Sequence, residues 1–563
     1  MPPLMHLSFQ CIGVLPQFLV HPIPGLLQSR LPARMANLAW AWFRVKVIAP
    51  PMRVLITVSM AMLVMQMFEK LFMTGIALYV KVFNRKPGKV YKWEPLVQDE
   101  ESSDAVFPVV LVQIPMYNEK EVYHLSIEAA CKLSWPKHRL IVQVLDDSDE
   151  AIKELVRAEC AKWAKKGVDI RYEVRSDRKG YKAGALKEGM KHNYVRRCEF
   201  VAIFDSDFQP DADFLVRIVP FLVIPFSNYN NRRVLFLFLH SAVNASKCLM
   251  TRMQEMSLNY HFTVEQQAGS SAFAFFGFNG STAGVWRITA LNDSGGWNTR
   301  TTVEDMDLAV RACLKGWKFV YVGDVKVKSE LPSNFAAYRF QQHRWSCGPA
   351  NLFRKMAIEI IQNKVSLLKR LHIIYNFFFL GKIVAHTLSL TFFCGLIPLS
   401  VLVPEISIPA WAMVYVPCLI TIAKAIETPR SFHLVVIWVL FENAMSLHRF
   451  KAIITGLLEA KRANEWVVTQ KRGDDHEVKA PRCANEDVES SLLVIDAPMR
   501  KPLRNIGKRF HVGEIGVGAV LLSCGLYDVL VAKKRYFVYI FLQGIAFLVV
   551  GFDYVGVPAE RSE

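Results

Sequence analysis

The chain has 563 residues, enough for two or three domains, with 52% hydrophobic residues and a mean hydropathy of +0.21. The formal charge of +18 could suit nucleic acid, but the sequence has no zinc spacing, RNA-binding strand motif or basic recognition helix, so none is expected. Basic residues instead flank apolar segments, as in proteins bound to anionic membrane lipid. The 11 cysteines include no C-x-x-C pair, so neither a zinc site nor a disulfide framework is predicted.

The first candidate transmembrane helix lies within residues 51–82, where the apolar run is long enough for a bilayer. Residues 1–50 are assigned no role, because prolines interrupt their apolar run. Glu69 and Lys70 lie near the middle of the candidate helix. Such a pair is costly in lipid, so we expect it to face other helices.

Residues 83–370 have the sequence pattern of an α/β domain, because short apolar runs alternate with helical patterns. The run at 200–204 is followed directly by Asp205 and Asp207, two carboxylates that can direct oxygens toward one Mg²⁺ or Mn²⁺. Taken alone, such a pair is more often a solvated acidic turn. Two further runs also end in polar residues, and three strand ends at one crevice are typical of a nucleotide-binding sheet.

Two more polar segments follow predicted strands. Asp146 and Asp147 stand at the second strand end, where they either accept hydrogen bonds from a base or ribose or cap the next helix. Lys182 lies in a basic, glycine-containing segment that opens a predicted helix. That segment is either a phosphate-binding loop or an ordinary turn.

The last two candidate segments of this domain carry acids and an arginine–aromatic pair. Glu304 and Asp305 begin a predicted helix, where they either complement its dipole or provide a general base for a sugar hydroxyl. Gln341, Arg344 and Trp345 offer a partner for a diphosphate and a stacking face for a sugar. The alternative is a surface arginine beside a packed tryptophan.

Apolar character returns at about residue 371. We predict a transmembrane hairpin at 371–430, an interface helix with a following loop at 431–475, a polar linker at 476–511 and a second transmembrane hairpin at 512–556. The helix within 431–475 is interrupted by polar and charged residues, which favours a position along the membrane surface. This count keeps every basic loop on one side of the membrane.

In this order and spacing the acidic pairs, the Gln-x-x-Arg-Trp segment and the membrane helices resemble processive family 2 glycosyltransferases. Further segments, at 113–119, 180–187 and 345–349, look like those of the plant cellulose-synthase-like subfamily A, the glucomannan 4-β-mannosyltransferases. The resemblance covers about residues 40 to 475. It implies a GT-A (Rossmann-like) α/β domain inserted between the transmembrane helices of a multi-pass Golgi membrane protein.

The resemblance also implies roles for individual residues. Asp146 and Asp147 would contact the nucleotide, while Asp205 and Asp207 would bind the divalent cation, Mg²⁺ or Mn²⁺, and the diphosphate. Lys182 would hold phosphate oxygens, and Asp305, beside Glu304, would be the general base. The residues implied to line the donor and acceptor site or to belong to a gating loop over the nucleotide are Gln341, Arg344, Trp345, Thr469 and Lys471. The donor would be GDP-mannose, or also GDP-glucose, and the acceptor a growing β-1,4-mannan.

Three segments depart from the family pattern. Residues 224–241 replace a strand that usually carries polar and aromatic side chains near the acceptor, and residues 279–284 hold one residue more than the family's Asn-Gly-Thr-Ala-Gly. Residues 1–35 resemble nothing in the family. One alternative is a β-1,4-glucan synthase of the sister subfamily, which shares the acidic motifs, and another is a lipid-phosphate mannosyltransferase. Because of the altered segment, a third is a catalytically impaired scaffold or exporter.

Overall fold

The computed structural model describes residues 30–83, 95–96, 107–223, 233–275, 284–459 and 510–556. Its centre is an eight-stranded mixed sheet with the strand order β3-β2-β1-β4-β7-β6-β8-β5. The strands are β1 Val110–Met116, β2 Leu140–Asp146, β3 Ile170–Val174, β4 Phe200–Ile203, β5 Gln209–Pro210, β6 Arg233–Ala242, β7 Gly284–Arg287 and β8 Lys318–Ser329.

The three predicted strands are neighbours in the sheet, because β1 pairs in parallel with both β2 and β4. Their carboxyl ends therefore meet at one edge, as the sequence predicts. Beyond β4 the sheet turns mixed: β7 runs antiparallel to β4, and β6 lies between β7 and β8. The strand predicted within 224–241 is present as β6, so the sheet is continuous across the unusual segment.

Successive side chains of a strand point to opposite faces of the sheet, so a strand whose residues are all apolar presents two apolar faces. Helices cover both of them. Leu111 of β1 packs into one core and Val112 into the other. The helices of this domain are α3 Tyr123–Cys131, α4 Glu150–Lys165, α5 Tyr181–Gly189, α6 Phe214–Val223, α7 Leu249–Tyr260, α8 Gln267–Phe273, α9 Ile288–Asp293, α10 Glu304–Leu314 and α11 Phe335–Gln362. The α/β fold is confirmed.

Four helices among the described residues are long and apolar enough to cross a membrane, namely Asn37–Val82, Leu367–Leu402, Pro429–Leu458 and Val512–Ala532. The first contains α1 Arg30–Phe43 in part and α2 Ala49–Val82. In chain order, the later apolar helices are labelled α12 Leu367–Leu402, α13 Trp411–Ala425, α14 Pro429–Leu458, α15 Val512–Ala532 and α16 Phe537–Gly551. The chain is therefore a multi-pass membrane protein. Glu69 and Lys70 face protein as expected, because Lys70 Nζ lies 3.1 Å from Glu69 and 2.6 Å from Glu265 of the α/β domain.

Polar contacts at the helix ends define two sides of the helical bundle. On the side away from the sheet, Arg44 Nε donates to Glu405 at 3.0 Å, and Lys534 Nζ donates to the carbonyls of Ser400 and Val403 at 2.7 and 3.0 Å. The other helix ends contact the α/β domain. Asn259 of α7 donates to Thr428 at 3.0 Å and Arg339 of α11 to Glu514 at 2.8 Å, while the Phe273 and His372 rings stack 3.7 Å apart.

Helix α14 contacts the α/β domain at both ends. Trp438 donates to Ser257 of α7 at 3.1 Å near its start, and Arg354 of α11 donates to Glu459 at 3.1 Å at its end. Between them, Asn351 of α11 donates to the Gly456 carbonyl at 3.2 Å. Although α14 has the length and composition of a membrane span, these contacts favour the interface position. The domain boundaries and the interface position stay predictions.

A labelling experiment tests this arrangement. We expect Ser407→Cys, in the loop before α13, to react with a membrane-impermeant thiol reagent from one face of sealed vesicles. Leu458→Cys and Lys165→Cys of the α/β domain should react from the other face, because both ends of α14 contact that domain. Permeabilised vesicles, in which all three must react, are the control, and the native thiols are removed first. Labelling of positions 458 and 165 from opposite faces would show that α14 crosses the membrane.

Candidate functional site

A cavity of about 380 Å³ opens at the carboxyl ends of β1, β2 and β4. It brings together nine of the predicted site residues: Asp147, Lys182, Asp205, Asp207, Glu304, Asp305, Gln341, Arg344 and Trp345. These residues come from five separate segments of the chain. Thr469 and Lys471 lie outside the described residues, so their gating role stays a prediction.

Lys182 is the central cation of this site. Its ammonium pairs with the Asp205 carboxylate and lies 3.9 Å from that of Glu304. Burial by itself would lower the pKa of Lys182, but the carboxylates of Asp205, Glu304 and Asp305 outweigh it and raise the pKa above its ordinary value. Lys182 is therefore charged at neutral pH. As predicted, it lies at the start of a helix, α5, which begins at Tyr181.

Asp205 and Asp207 line the cavity directly after β4. Within the part of the chain that the structure describes, no group of three or more His, Cys, Asp or Glu side chains could by itself hold a metal ion. Two hard carboxylates nevertheless suit Mg²⁺ or Mn²⁺, which take part of their shell from substrate phosphates. Eight Asp and Glu side chains line the cavity, against five Lys and Arg side chains. A divalent cation would offset this surplus of carboxylates.

Glu304 and Asp305 form the first turn of α10 and are 3% and 7% exposed. Burial and the neighbouring Glu304 raise the pKa of Asp305 to about 8, although Asp305 accepts a hydrogen bond of 2.6 Å from the Met306 amide. Burial likewise raises the pKa of Glu304. A carboxylate with a raised pKa is a stronger base than an ordinary aspartate, which is what proton abstraction from a hydroxyl requires.

The position of α10 depends on Asp307, which the sequence analysis did not single out. Asp307 is fully buried and accepts hydrogen bonds of 2.9 Å from Arg300 Nε and from Arg311 Nε, one at each carboxylate oxygen. Such a buried carboxylate is tolerated only when it is fully paired. The spacing of Asp307 and Arg311, four residues apart, was the available signal in the sequence.

Asp146 and Asp147 lie in different surroundings, and only Asp147 lines the cavity. Asp147 lines the cavity and receives a bidentate ion pair from Arg175, with Nε and Nη2 at 2.6 and 2.5 Å. Asp146 does not line it: this buried carboxylate accepts hydrogen bonds from the Ser148 amide at 2.9 Å and the Tyr172 hydroxyl at 3.0 Å. Neither caps a helix, since α4 begins only at Glu150. Nucleotide contact by Asp146 stays a prediction, and its placement favours a structural role.

Gln341, Arg344 and Trp345 line the cavity from α11. Burial lowers the pKa of Arg344, which still remains charged because an arginine does not deprotonate in proteins. The same helix is held to α14 by Arg449, which is 4% exposed and donates to Gln342 at 2.8 Å and to the Tyr338 hydroxyl at 2.9 Å. Sequence reasoning missed this arginine, because its partners on α11 lie more than 100 positions away.

The cavity is also lined by residues of the membrane-associated helices, namely Lys382 and His386 of α12 and Glu442 and Arg449 of α14. Glu442 accepts a hydrogen bond of 2.6 Å from Arg449. The site therefore extends from the sheet edge to the helical bundle, and a ligand in it can contact both.

Sequence comparison assigns the family. The profile described as "Glycosyl transferase family 2" matches residues 111–228, and "Glycosyl transferase family group 2" matches residues 200–425. The chain is 57% identical over 519 residues to "Probable glucomannan 4-beta-mannosyltransferase 11" of Oryza sativa subsp. japonica, which covers 89% of this chain and 90% of the relative. It is 55% identical over 516 residues to "Glucomannan 4-beta-mannosyltransferase 9" of Arabidopsis thaliana, with 91% and 93% coverage.

Fold comparison finds, among solved structures, a mannosyltransferase from Pyrobaculum calidifontis in complex with GDP-Man and Mn²⁺. It shares 18% sequence identity at a TM-score of 0.44 and covers 72% of this chain and 100% of its own. The sheet, the site and the sequence matches define a membrane-embedded family 2 glycosyltransferase. Within that class, the chain belongs to the glucomannan 4-β-mannosyltransferases.

The raised pKa of Asp305 leads to a pH prediction. Only the deprotonated carboxylate can accept a proton, so activity should rise as pH increases through the pKa of Asp305. For kcat/KM, which reports the free enzyme, we expect the acidic limb near pH 8 rather than near the ordinary value of 3.8. Nucleotide binding over the same range is the control. A kcat/KM that stays flat from about pH 6 to about pH 9 would contradict the assignment.

Proposed function

We propose that this chain is a processive, inverting glycosyltransferase that moves mannose from GDP-mannose to the growing end of a β-1,4-mannan or glucomannan in the Golgi membrane. The observation that carries the proposal is one cavity that holds a metal-type acidic pair, a buried base and the Gln341–Trp345 segment. The names of the relatives support mannose as the sugar. The cavity's extension to Lys382 and His386 of the bundle suits a product that is passed to the membrane.

The reaction is a single displacement. Asp305 removes the proton from the 4-hydroxyl of the acceptor's terminal sugar, and the oxygen attacks the anomeric carbon of the donor as its bond to the diphosphate breaks. Attack from the face opposite the diphosphate converts an α-linked donor into a β-linked product. A nucleoside diphosphate is a good leaving group once its charge is offset, so no second carboxylic acid is required, unlike in a glycosidase.

Lys182 and Arg344 stabilise the negative charge that develops on the leaving diphosphate. Lys182 already lies in the acidic cluster, and Arg344 faces the same carboxylates from α11. Asp205 and Asp207 would hold a divalent cation, which would supply further charge stabilisation when bound. Trp345 offers the acceptor sugar a flat apolar face.

Replacement of the Asp305 carboxylate by an amide tests the proposal. We expect Asp305→Asn to keep nucleotide binding and lose about 10²- to 10⁴-fold in polymer synthesis, because asparagine cannot accept the proton. Asp205→Asn should lose cation-dependent nucleotide binding. Asp213→Asn, an exposed acid of the same domain, is the matched control and should behave like the parent. Near-parental synthesis by Asp305→Asn would exclude this residue as the base.

The impaired-scaffold alternative depends on residues 224–241. The unusual segment still supplies a strand to the sheet, because β6 pairs with both β7 and β8. The loss of acceptor contacts in this segment stays a prediction, and residues 224–232 lie outside the described parts of the chain. Nine of the predicted site residues nevertheless line one cavity, which favours an enzyme.

A further inference from the structure

A lysine of α11 joins three parts of the molecule, and the proposed mechanism does not use it. Lys355 Nζ donates to the Arg300 carbonyl at 2.7 Å and lies 2.8 Å from a carboxylate oxygen of Glu459, the residue after α14. The Lys355 side chain is 21% exposed and is not part of the cavity lining. A charged donor shared by two oxygens fixes the chain segments that carry them.

The segment at 299–303, which contains this carbonyl, packs tightly between α11 and the loop before α5. The Thr299 methyl group occupies the space where a side chain at Gly180 would lie. On the other side, a Cβ atom at Gly348 of α11 would lie 2.6 Å from Val303 Cγ1. A larger residue at either glycine would therefore push the segment away, because a close-packed interior has no room to absorb it.

The same segment leads directly into α10, which carries the proposed base. The Asp307 amide donates to the Val303 carbonyl at 3.0 Å, and Arg300 Nε donates to the Asp307 carboxylate at 2.9 Å. Asp305 lies within this turn, so a shift of the segment would move its carboxylate. The helix itself would persist, because Arg311 also pairs with Asp307. The backbone position of Arg300 therefore controls where Asp305 points.

The diphosphate end of the site has an anchor of its own. Arg175 donates to the carbonyls of Lys179 and Tyr181, each at 2.8 Å. The loop before Lys182 is thus held without Lys355. Loss of the Lys355 contact would displace the base relative to the bound donor, while the groups that bind the diphosphate would stay in place.

We propose that Lys355 is a positioning residue, which keeps the base of α10 aligned with the bound donor by tying the 299–303 segment to α11 and to the end of α14. This rests on the proposed function and adds to it a residue that touches no substrate. The rate of a displacement depends steeply on how the base, the nucleophile and the leaving group are aligned. Lys355 therefore contributes to turnover through the backbone that it holds.

Steady-state kinetics of the full-length protein with Mn²⁺, GDP-mannose and a β-1,4-mannan oligosaccharide test this proposal. For Lys355→Met we expect kcat to fall about 10- to 100-fold, with the KM for GDP-mannose and the affinity for GDP little changed, because only alignment is lost. The kcat is expressed per GDP-binding site, so that unfolded protein does not count. Lys355→Arg should recover most of the kcat, since a guanidinium can donate to both the carbonyl and the carboxylate.

Arg354→Met is the matched control, because Arg354 binds the other carboxylate oxygen of Glu459 at 3.1 Å, whereas the contact with the Arg300 carbonyl belongs to Lys355. Its kcat should match that of the parent. An equal loss in Arg354→Met, or no recovery in Lys355→Arg, would overturn the proposal. A loss in Lys355→Met confined to the number of GDP-binding sites would show a role in stability alone and would also overturn it.

The parent protein separates this inference from the proposed function. If the parent elongates no mannan, the proposed function fails and the inference fails with it. If the parent elongates mannan and Lys355→Met does so with the same kcat per GDP-binding site, only the positioning role is wrong.

Discussion

The site depends on the burial of the Lys182 ammonium among acidic groups. The carboxylates of Asp205, Glu304 and Asp305 come from two segments about 100 positions apart, and they would repel one another because burial removes much of the water around Glu304 and Asp305. Lys182 offsets part of that repulsion, and a divalent cation with a diphosphate would offset the rest. The same crowding raises the pKa of Asp305. Electrostatic strain in the free site therefore favours the two events the reaction needs, which are donor binding and proton abstraction.

Buried polar contacts elsewhere in the fold hold this cluster in a fixed position relative to the helical bundle. Asp307, held by Arg300 and Arg311, fixes the helix that carries Glu304 and Asp305. Arg449 ties α14 to α11, which carries the residues proposed to line the donor and acceptor site. A buried arginine that lost its partners would be destabilising by about 3–5 kcal/mol, so each pair fixes the relative position of the two segments it joins. The catalytic domain and the helical bundle thus share one cavity.

The sequence predicted what depends on local pattern. Apolar runs located β1, β2 and β4, and polar residues at their ends located the cavity, because parallel strands place those ends side by side. The pairs Arg175–Asp147 and Arg449–Gln342 were missed, since they join residues 28 and 107 positions apart. Composition also could not distinguish a crossing from an interface position for α14. That distinction depends on the contacts at its two ends, which appear only in the folded chain.

The most direct test of the account is the product made by the purified full-length protein. It would be supplied with Mn²⁺, GDP-mannose and a short β-1,4-mannan oligosaccharide, with UDP-glucose in a parallel reaction. We predict chains that lengthen at the non-reducing end and that an endo-β-1,4-mannanase degrades completely, with no product from UDP-glucose. Mannosyl transfer with retained α configuration, a polymer formed from UDP-glucose alone, or donor binding without any elongation would contradict the account.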